Sequence, residues 1–151
     1  MEGGDVLSLE ENKAIIRKVI EAINKQNIAL LDELIASDCV YHMNVQQIQG
    51  LEALKQVIEA EIKGFPDLHV AIKDMMAEGD KVCVRLEETF THTNEFRGLA
   101  PTGKKITDTA VAIFSIVEGK IVEGWGVYDQ MDFFKQLGVI EYKGFPDEKV
   151  S

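Results

Sequence analysis

Four polar side chains lie where the alternation of the predicted strands calls for apolar ones. Alternate residues of a strand share one face of a sheet, so a polar residue in phase with apolar neighbours points toward the interior. The four residues are Glu88, His92, Asp108 and Asp129. On the first predicted strand, His42 and Asn44 share a face with Val40 and form a weaker case of the same pattern.

Carboxyl groups at such positions suggest acid and base chemistry. A buried carboxylate has to be paired, hydrogen-bonded, protonated or in contact with trapped water. Where burial dominates, the pKa of the group rises toward neutrality, as a general acid or base requires. Each residue also has an ordinary interpretation: a rim or capping role for Glu88 and Asp108, a helix N-cap for Asp129, and a backbone hydrogen bond for His92.

The elements that would position these residues follow from two periodicities. Apolar residues at spacings of three and four predict a helix over about 8–23, a short helix after Asn27, and a helix from 51 to 65 that ends at Pro66. A first strand is expected over 39–45. From residue 68 the period becomes two, which predicts strands over 68–73, 82–90, 106–117 and 121–128, with a loop over 94–104 and a short last helix.

This order of elements predicts an α+β domain. Consecutive strands with tight turns form an antiparallel meander, and helices set apart in sequence pack on one face of it. The chain has 151 residues, which fits a single domain. We assign 1–8 to an N-terminal extension, 9–140 to the domain, and 141–151 to a C-terminal tail.

Composition and missing motifs exclude several classes of function. The net charge of -10 argues against binding to nucleic acid or anionic membranes. Cys39 and Cys83 show no metal-ligand spacing, and no secretory leader is recognisable, so we expect free thiols and a cytoplasmic protein. Nucleotide-binding, metalloprotease and serine-hydrolase motifs do not occur, and we expect neither a metal nor a cofactor.

An ordered set of short motifs resembles the SnoaL-like polyketide cyclase and ester cyclase group of the nuclear-transport-factor-2-like superfamily. The resemblance extends over about residues 10–140. Trp125 and Asp129 contribute to it, together with GFPDL at 64–68, AEGDKV at 77–82, THT at 91–93, EFRG at 95–98, PTGKK at 101–105, EGKIVE at 118–123 and QLG at 136–138.

The resemblance implies a cone-shaped, curved antiparallel sheet wrapped around the N-terminal helices, a cystatin-like α+β barrel with an internal pocket. It also implies ring closure by an intramolecular aldol step without a cofactor, with Asp129 as the general acid/base and His92 as a further candidate. Many relatives carry a histidine directly before the tryptophan, whereas this chain has Gly124.

We therefore expect a pocket enzyme of cyclase, isomerase or lyase type acting on a small, mostly apolar carbonyl compound. Beside the two catalytic candidates, we predict that seven residues form the pocket: Trp125, Asp108, Glu88, Phe90, Phe114, His42 and Asn44. Trp125 is equally compatible with core packing. Two alternatives remain open: a non-catalytic domain that binds a small molecule or a protein, and a dehydratase or epoxide hydrolase of the same superfamily. A homodimer is expected, with Val111 and Ile113 on a possible outer face.

Overall fold

Helices and strands follow one another largely in the predicted order. The computed structural model describes residues 6–146. Its elements are α1 Val6–Asn24, a 3-10 turn Ile28–Leu30, α2 Leu31–Leu34, β1 Ile35–Met43, β2 Gln46–Gln49, α3 Leu51–Gly64, β3 His69–Glu78, β4 Lys81–Thr91, β5 Lys105–Val117, β6 Lys120–Tyr128 and α4 Gln130–Leu137. Helix α1 thus begins inside the segment that was predicted to be an extension.

The six strands form one curved sheet in the order β2-β1-β6-β5-β4-β3. The meander of β3 to β6 is antiparallel throughout, as predicted. The prediction of a wholly antiparallel sheet is wrong, because β1 runs parallel to β6. Strand β2 was not predicted, and together with β3 it leaves the sheet with two edges, so the sheet does not close into a barrel. The α+β class is confirmed.

Helix α1 packs its apolar stripe against one face of the sheet, which we call the inner face. Ile16, Val19 and Ile20 are buried there with Val82 and Val84 of β4. Burial of this stripe removes large aliphatic side chains from water, which stabilises the packing of helix on sheet. Helix α3 approaches β1 on the same side. The two helices therefore cover the inner face of the sheet and leave a space between themselves and the sheet.

A second cluster, mainly aromatic, closes one end of this space. It joins the end of α3, the ends of β4 and β5, the loop after β4, and α4, through Phe65, Phe90, Phe96, Ile106, Phe133 and Leu137. Phe65 lies at the centre, with ring centroids 4.5 Å from Phe90 and 4.6 Å from Phe96. Among residues 6–146, no helix is long and apolar enough to cross a membrane.

Candidate functional site: a carboxyl cluster in an internal cavity

A cavity of about 230 Å³ lies between the inner face of the sheet and helices α1 and α3. Its wall is mostly apolar and includes Phe90 and Phe114. A few polar residues interrupt this wall: Tyr41, Asn44, Gln46, Glu61, Glu88, Arg97, Asp108, Tyr128 and Gln130. A concave, mainly apolar site with a small number of convergent polar groups is the usual form of a small-molecule site.

Glu88 and Asp108 are direct neighbours on the inner face. They are cross-strand partners in the antiparallel pair of β4 and β5, and both line the cavity. Directly opposed residues bring their Cβ atoms to within about 4.5–5.5 Å of one another. The strand phase therefore gave the correct face for both residues.

A third carboxyl, Glu61 of α3, faces the same cavity and was missed in the sequence. The available signal was helical spacing. Leu54, Ile58, Glu61 and Phe65 are separated by four, three and four residues, so Glu61 interrupts an apolar stripe. The sequence interpretation followed Ile62 instead, which does not belong to the cavity wall.

Burial raises the pKa of all three carboxyls. The pKa of Glu88 rises to about 8, through burial first and then through the charges of Glu61 and Asp108. Burial raises the pKa of Glu61 to about 7, against a lowering effect of Arg97. Burial raises the pKa of Asp108 to about 6, although the backbone N–H of Thr109 donates to its Oδ1 at 2.9 Å. Near pH 7, Glu88 thus holds a proton while most of Asp108 is ionised.

Tyr41 of β1 reaches across β6 over two glycines. A Cβ atom at Gly124 would lie 2.6 Å from Cδ2 of Tyr41 and 2.9 Å from Cδ1 of Phe114, and a Cβ atom at Gly126 would collide with the Tyr41 hydroxyl. The Tyr41 ring also stacks on Phe114, with centroids 6.1 Å apart and planes 8° apart. A side chain at position 124 would therefore force Tyr41 and Phe114 to move.

Asn44 lines the cavity, although it does not lie on the regular alternation of β1. The alternation of β1 ends at Asn44, whose φ of 50° lies in the left-handed region. Its Oδ1 accepts a hydrogen bond from the backbone N–H of Tyr128 at 3.2 Å, and its Nδ2 donates to Gln130 at 3.4 Å. Asn44 thereby ties the end of β1 to the end of β6.

Asp129 is exposed and lies outside the cavity wall. It is the N-cap of α4, and its Oδ1 accepts a hydrogen bond from the backbone N–H of Asp132 at 2.9 Å. Gly124 and Gly126 occupy inner positions of β6, and Trp125 lies on the outer face. By alternation, the next inner position is Tyr128 and not Asp129. Asp129 is still close enough for its charge to raise the pKa of Asp108. Its predicted catalytic role stays a prediction.

His92 is completely buried, but it lies outside the cavity wall. Its Nδ1 accepts a hydrogen bond from the backbone N–H of Thr102 at 3.2 Å and lies 3.0 Å from the Thr102 hydroxyl. Because Nδ1 is an acceptor, the neutral ring carries its proton on Nε2. Nε2 is buried without a hydrogen-bond partner among residues 6–146. These contacts make His92 an anchor for the loop after β4.

Trp125 and His42 lie on the outer face of the sheet, so the structure does not place them where the predicted pocket required. Their rings stack with centroids 5.7 Å apart, and His42 Nε2 is 3.0 Å from a carboxylate oxygen of Glu123. Lys81 Nζ lies 5.0 Å from the centre of the Trp125 ring. The reason is strand phase: Gly124 and Gly126 take the inner positions of β6, which leaves the outer ones to Trp125.

The thiols of Cys39 and Cys83 are free. Within the described part of the chain, no three or more histidine, cysteine, aspartate or glutamate side chains are grouped to hold a metal ion.

Comparison with known proteins gives one consistent result. The sequence profile of the SnoaL-like polyketide cyclase family matches residues 13–137. AclR, a proposed hydroxylase from Streptomyces galilaeus, is 29% identical, with 88% of this chain and 99% of that chain covered and a TM-score of 0.81. IdmH, a proposed polyketide cyclase from Streptomyces antibioticus, is 30% identical, with 84% and 98% covered and a TM-score of 0.74.

A more distant structure shares the fold. A proposed SnoaL-like polyketide cyclase from Jannaschia sp. CCS1 is 18% identical, covers 88% of this chain and 95% of its own, and has a TM-score of 0.80. No match is found among curated proteins.

Proposed function

Because the chain belongs to the SnoaL-like polyketide cyclase family, we propose that it is a cofactor-free enzyme that moves protons on a small, mostly apolar carbonyl compound. The reaction is of the cyclase or isomerase type and takes place in the internal cavity. The observation that carries this proposal is the cross-strand pair of Glu88 and Asp108 in an apolar wall.

The two carboxyls differ in the way that acid and base roles require. With a pKa of about 6, Asp108 is mostly ionised near neutral pH and can accept a proton. With a pKa of about 8, Glu88 is mostly protonated and can donate one. Neighbouring groups whose environments push their pKa values apart are suited to opposite roles in proton transfer. Each such role contributes typically ~10²–10⁴ in rate.

Asp108 takes a proton from the carbon next to a substrate carbonyl, and the electrons of that C–H bond form the enolate. In a ring closure, the enolate carbon attacks a second carbonyl of the same molecule. Glu88 then gives its proton to the oxygen of that second carbonyl. The proton that Asp108 took from the substrate carbon passes to Glu88, which returns both carboxyl groups to their starting states. No oxidant or reductant is consumed.

Deuterium uptake tests this proposal without knowledge of the natural substrate. We would incubate the protein in D2O with a panel of aryl ketones and 1,3-dicarbonyl compounds and follow exchange at the carbon next to the carbonyl by proton NMR. We expect wild-type protein to accelerate exchange for at least one compound, and Asp108→Asn to reduce the rate at least ~100-fold. Asp129→Asn is the matched comparison. If only Asp129→Asn loses exchange, the base is Asp129; if no compound exchanges faster than in buffer, the enzyme proposal is wrong.

The second candidate is a domain that binds a carbonyl compound or another small molecule without catalysis. It is favoured by the position of Asp129 at a helix N-cap outside the cavity wall. Such a domain would bind members of the panel in equilibrium dialysis and would leave their rate of deuterium exchange at the buffer value.

We also propose that the protein is a homodimer through the outer face of the sheet. Val111 and Ile113 of β5 lie directly opposite Val127 and Trp125 of β6, and all four are between 38% and 60% exposed. Such a contiguous apolar patch is typical of an interaction site. Sedimentation velocity should give twice the chain mass for wild type and the monomer mass for Ile113→Lys, with Val139→Lys as an exposed apolar control. A monomeric wild type contradicts the proposal.

The cytoplasm is the compartment that we propose for the protein. The free thiols of Cys39 and Cys83 are compatible with reducing conditions. Cell fractionation with an antibody against the chain would test this, and recovery outside the cytoplasmic fraction would contradict it.

A further inference from the structure

The hydroxyl of Tyr41 faces the cavity and is not used in the packing described above. It lies on the inner face in the wall of the cavity, and its oxygen lies against the backbone of Gly126. Within residues 6–146, this hydroxyl makes no hydrogen bond to another group of the protein. The hydroxyl of Tyr128, also in the cavity wall, interacts with the side chain of Gln130. A phenol hydroxyl in a cavity wall that has no partner within the protein is free to donate a hydrogen bond to a bound ligand.

The position of Tyr41 is strongly fixed. The ring is held on one side by Phe114, which stacks on it, and lies so close to Gly124 and Gly126 of β6 that a Cβ atom at either position would clash with it. A donor that is held in place before the substrate arrives needs no reorganisation when charge develops on an oxygen. The fixed position of the Tyr41 ring therefore suits a residue that donates a hydrogen bond to a reacting atom.

The charge environment keeps this donor protonated. Burial and the charges of Glu88 and Glu61 raise the pKa of Tyr41 above its ordinary value. Tyr41, Glu61 and Glu88 all line the same cavity. Tyr41 can therefore donate a hydrogen bond at any physiological pH without being the proton that is transferred.

We propose that Tyr41 is a catalytic residue whose hydroxyl donates a hydrogen bond to the carbonyl oxygen of the substrate and to the enolate oxygen formed from it. This inference rests on the proposed function. As Asp108 removes the proton from carbon, the C–H electrons form the carbon–carbon double bond and the carbonyl π electrons move to oxygen, where Tyr41 stabilises the charge. The ligand class is accordingly a mostly apolar carbonyl compound whose reacting carbonyl oxygen points toward β6.

Binding of 2-naphthol tests this inference separately from catalysis, because its phenolic oxygen mimics an enolate oxygen on an apolar body. We would measure its dissociation constant at pH 7 by equilibrium dialysis, with 2-methylnaphthalene as the ligand that lacks the oxygen. Tyr41→Phe keeps the ring and the stacking on Phe114. Tyr142→Phe removes an exposed phenol that lies outside the cavity wall and is the matched control.

We expect Tyr41→Phe to weaken 2-naphthol binding about three- to tenfold, as for loss of a hydrogen bond between neutral groups. Binding of 2-methylnaphthalene should change less than about twofold, and Tyr142→Phe should match wild type for both ligands. Equal losses for the two ligands, no loss in Tyr41→Phe, or no binding of 2-naphthol by wild type would each overturn the inference. Tyrosine labelled with ¹³C at Cζ supplies a second readout in wild-type protein: the Tyr41 signal should move with 2-naphthol and stay unmoved with 2-methylnaphthalene.

The two proposals can fail separately. Binding of 2-naphthol that depends on Tyr41, without deuterium exchange on any carbonyl compound, supports the recognition of the oxygen and contradicts the enzyme. Deuterium exchange that depends on Asp108 and is as fast in Tyr41→Phe as in wild type supports the enzyme and contradicts the role of Tyr41.

Discussion

The pH dependence of stability should report directly on the buried carboxyl of Glu88. The pKa of this group rises from an ordinary value of 4.5 to about 8 in the folded protein, chiefly through burial. The folded state therefore holds the proton more tightly than the unfolded chain does. The stabilisation is complete below about pH 4.5 and is lost progressively as the pH rises toward 8.

The magnitude follows from linkage. Between pH 5 and pH 8, the unfolded chain has released the Glu88 proton while the folded protein still largely retains it. Each pH unit in this window costs about 1.4 kcal/mol, so this single group lowers the free energy of unfolding by about 4 kcal/mol over the window. Glu88→Gln cannot ionise, and its pH profile should lack this contribution.

Urea denaturation of both proteins at intervals from pH 5 to pH 8 measures the effect. The difference between the free energies of unfolding of Glu88→Gln and wild type should grow in favour of the variant by roughly 2–4 kcal/mol across the window, the lower value allowing for relaxation of the cavity. Glu87→Gln, on the opposite face of the same strand, is the control and should follow wild type. If the free energies of unfolding of Glu88→Gln and wild type changed in parallel with pH, the raised pKa of Glu88 would be refuted.

Three further outcomes follow from the packing and the surface. Gly126→Ala should cost about 1–3 kcal/mol of stability, because the new Cβ meets the Tyr41 hydroxyl; a double-mutant cycle in urea with Tyr41→Phe should show a smaller cost, and additivity would contradict the contact. Asp129→Ala should lower the free energy of unfolding by about 1 kcal/mol through loss of the N-cap, with Asp129→Asn retaining most of it; equal losses would contradict the capping role. Arg85→Gln removes an exposed ion pair with Asp74 and should cost less than about 1 kcal/mol in thermal unfolding, whereas a larger loss would mean that the pair is part of the packing.

The alternation of apolar residues assigned the cavity-facing side correctly in β4 and β5 and incorrectly in β6. Glu88 and Asp108 lie in long regular strands with apolar residues on both sides, so alternation assigned them to the inner face correctly. In β6 the inner positions are glycines, which give no hydrophobic signal. The larger Trp125 and Val127 then looked like the inner set, and Asp129 was assigned to the cavity with them.

The edge of the sheet was equally hard to predict. Strand β2 has the sequence QQIQ, in which only Ile48 is buried, so it carries no alternating pattern. The parallel pairing of β1 with β6 joins segments about 80 residues apart, and no local signal specifies the direction of such a pair. Glu61 could have been predicted as a cavity residue, since helical spacing places it on the apolar stripe of α3.

The sequence by itself determined the α+β class, the meander of β3 to β6, the helical stripes and the family, because these depend on local periodicity and on ordered motifs. Only the tertiary structure decided which polar groups share one cavity. Glu61, Glu88 and Tyr41 come from a helix and two strands that are not adjacent in the sheet, and they meet only because the sheet curves beneath α1 and α3. Their altered pKa values arise from the same cause, since burial by distant segments is a property of the packed chain and not of any local stretch of it.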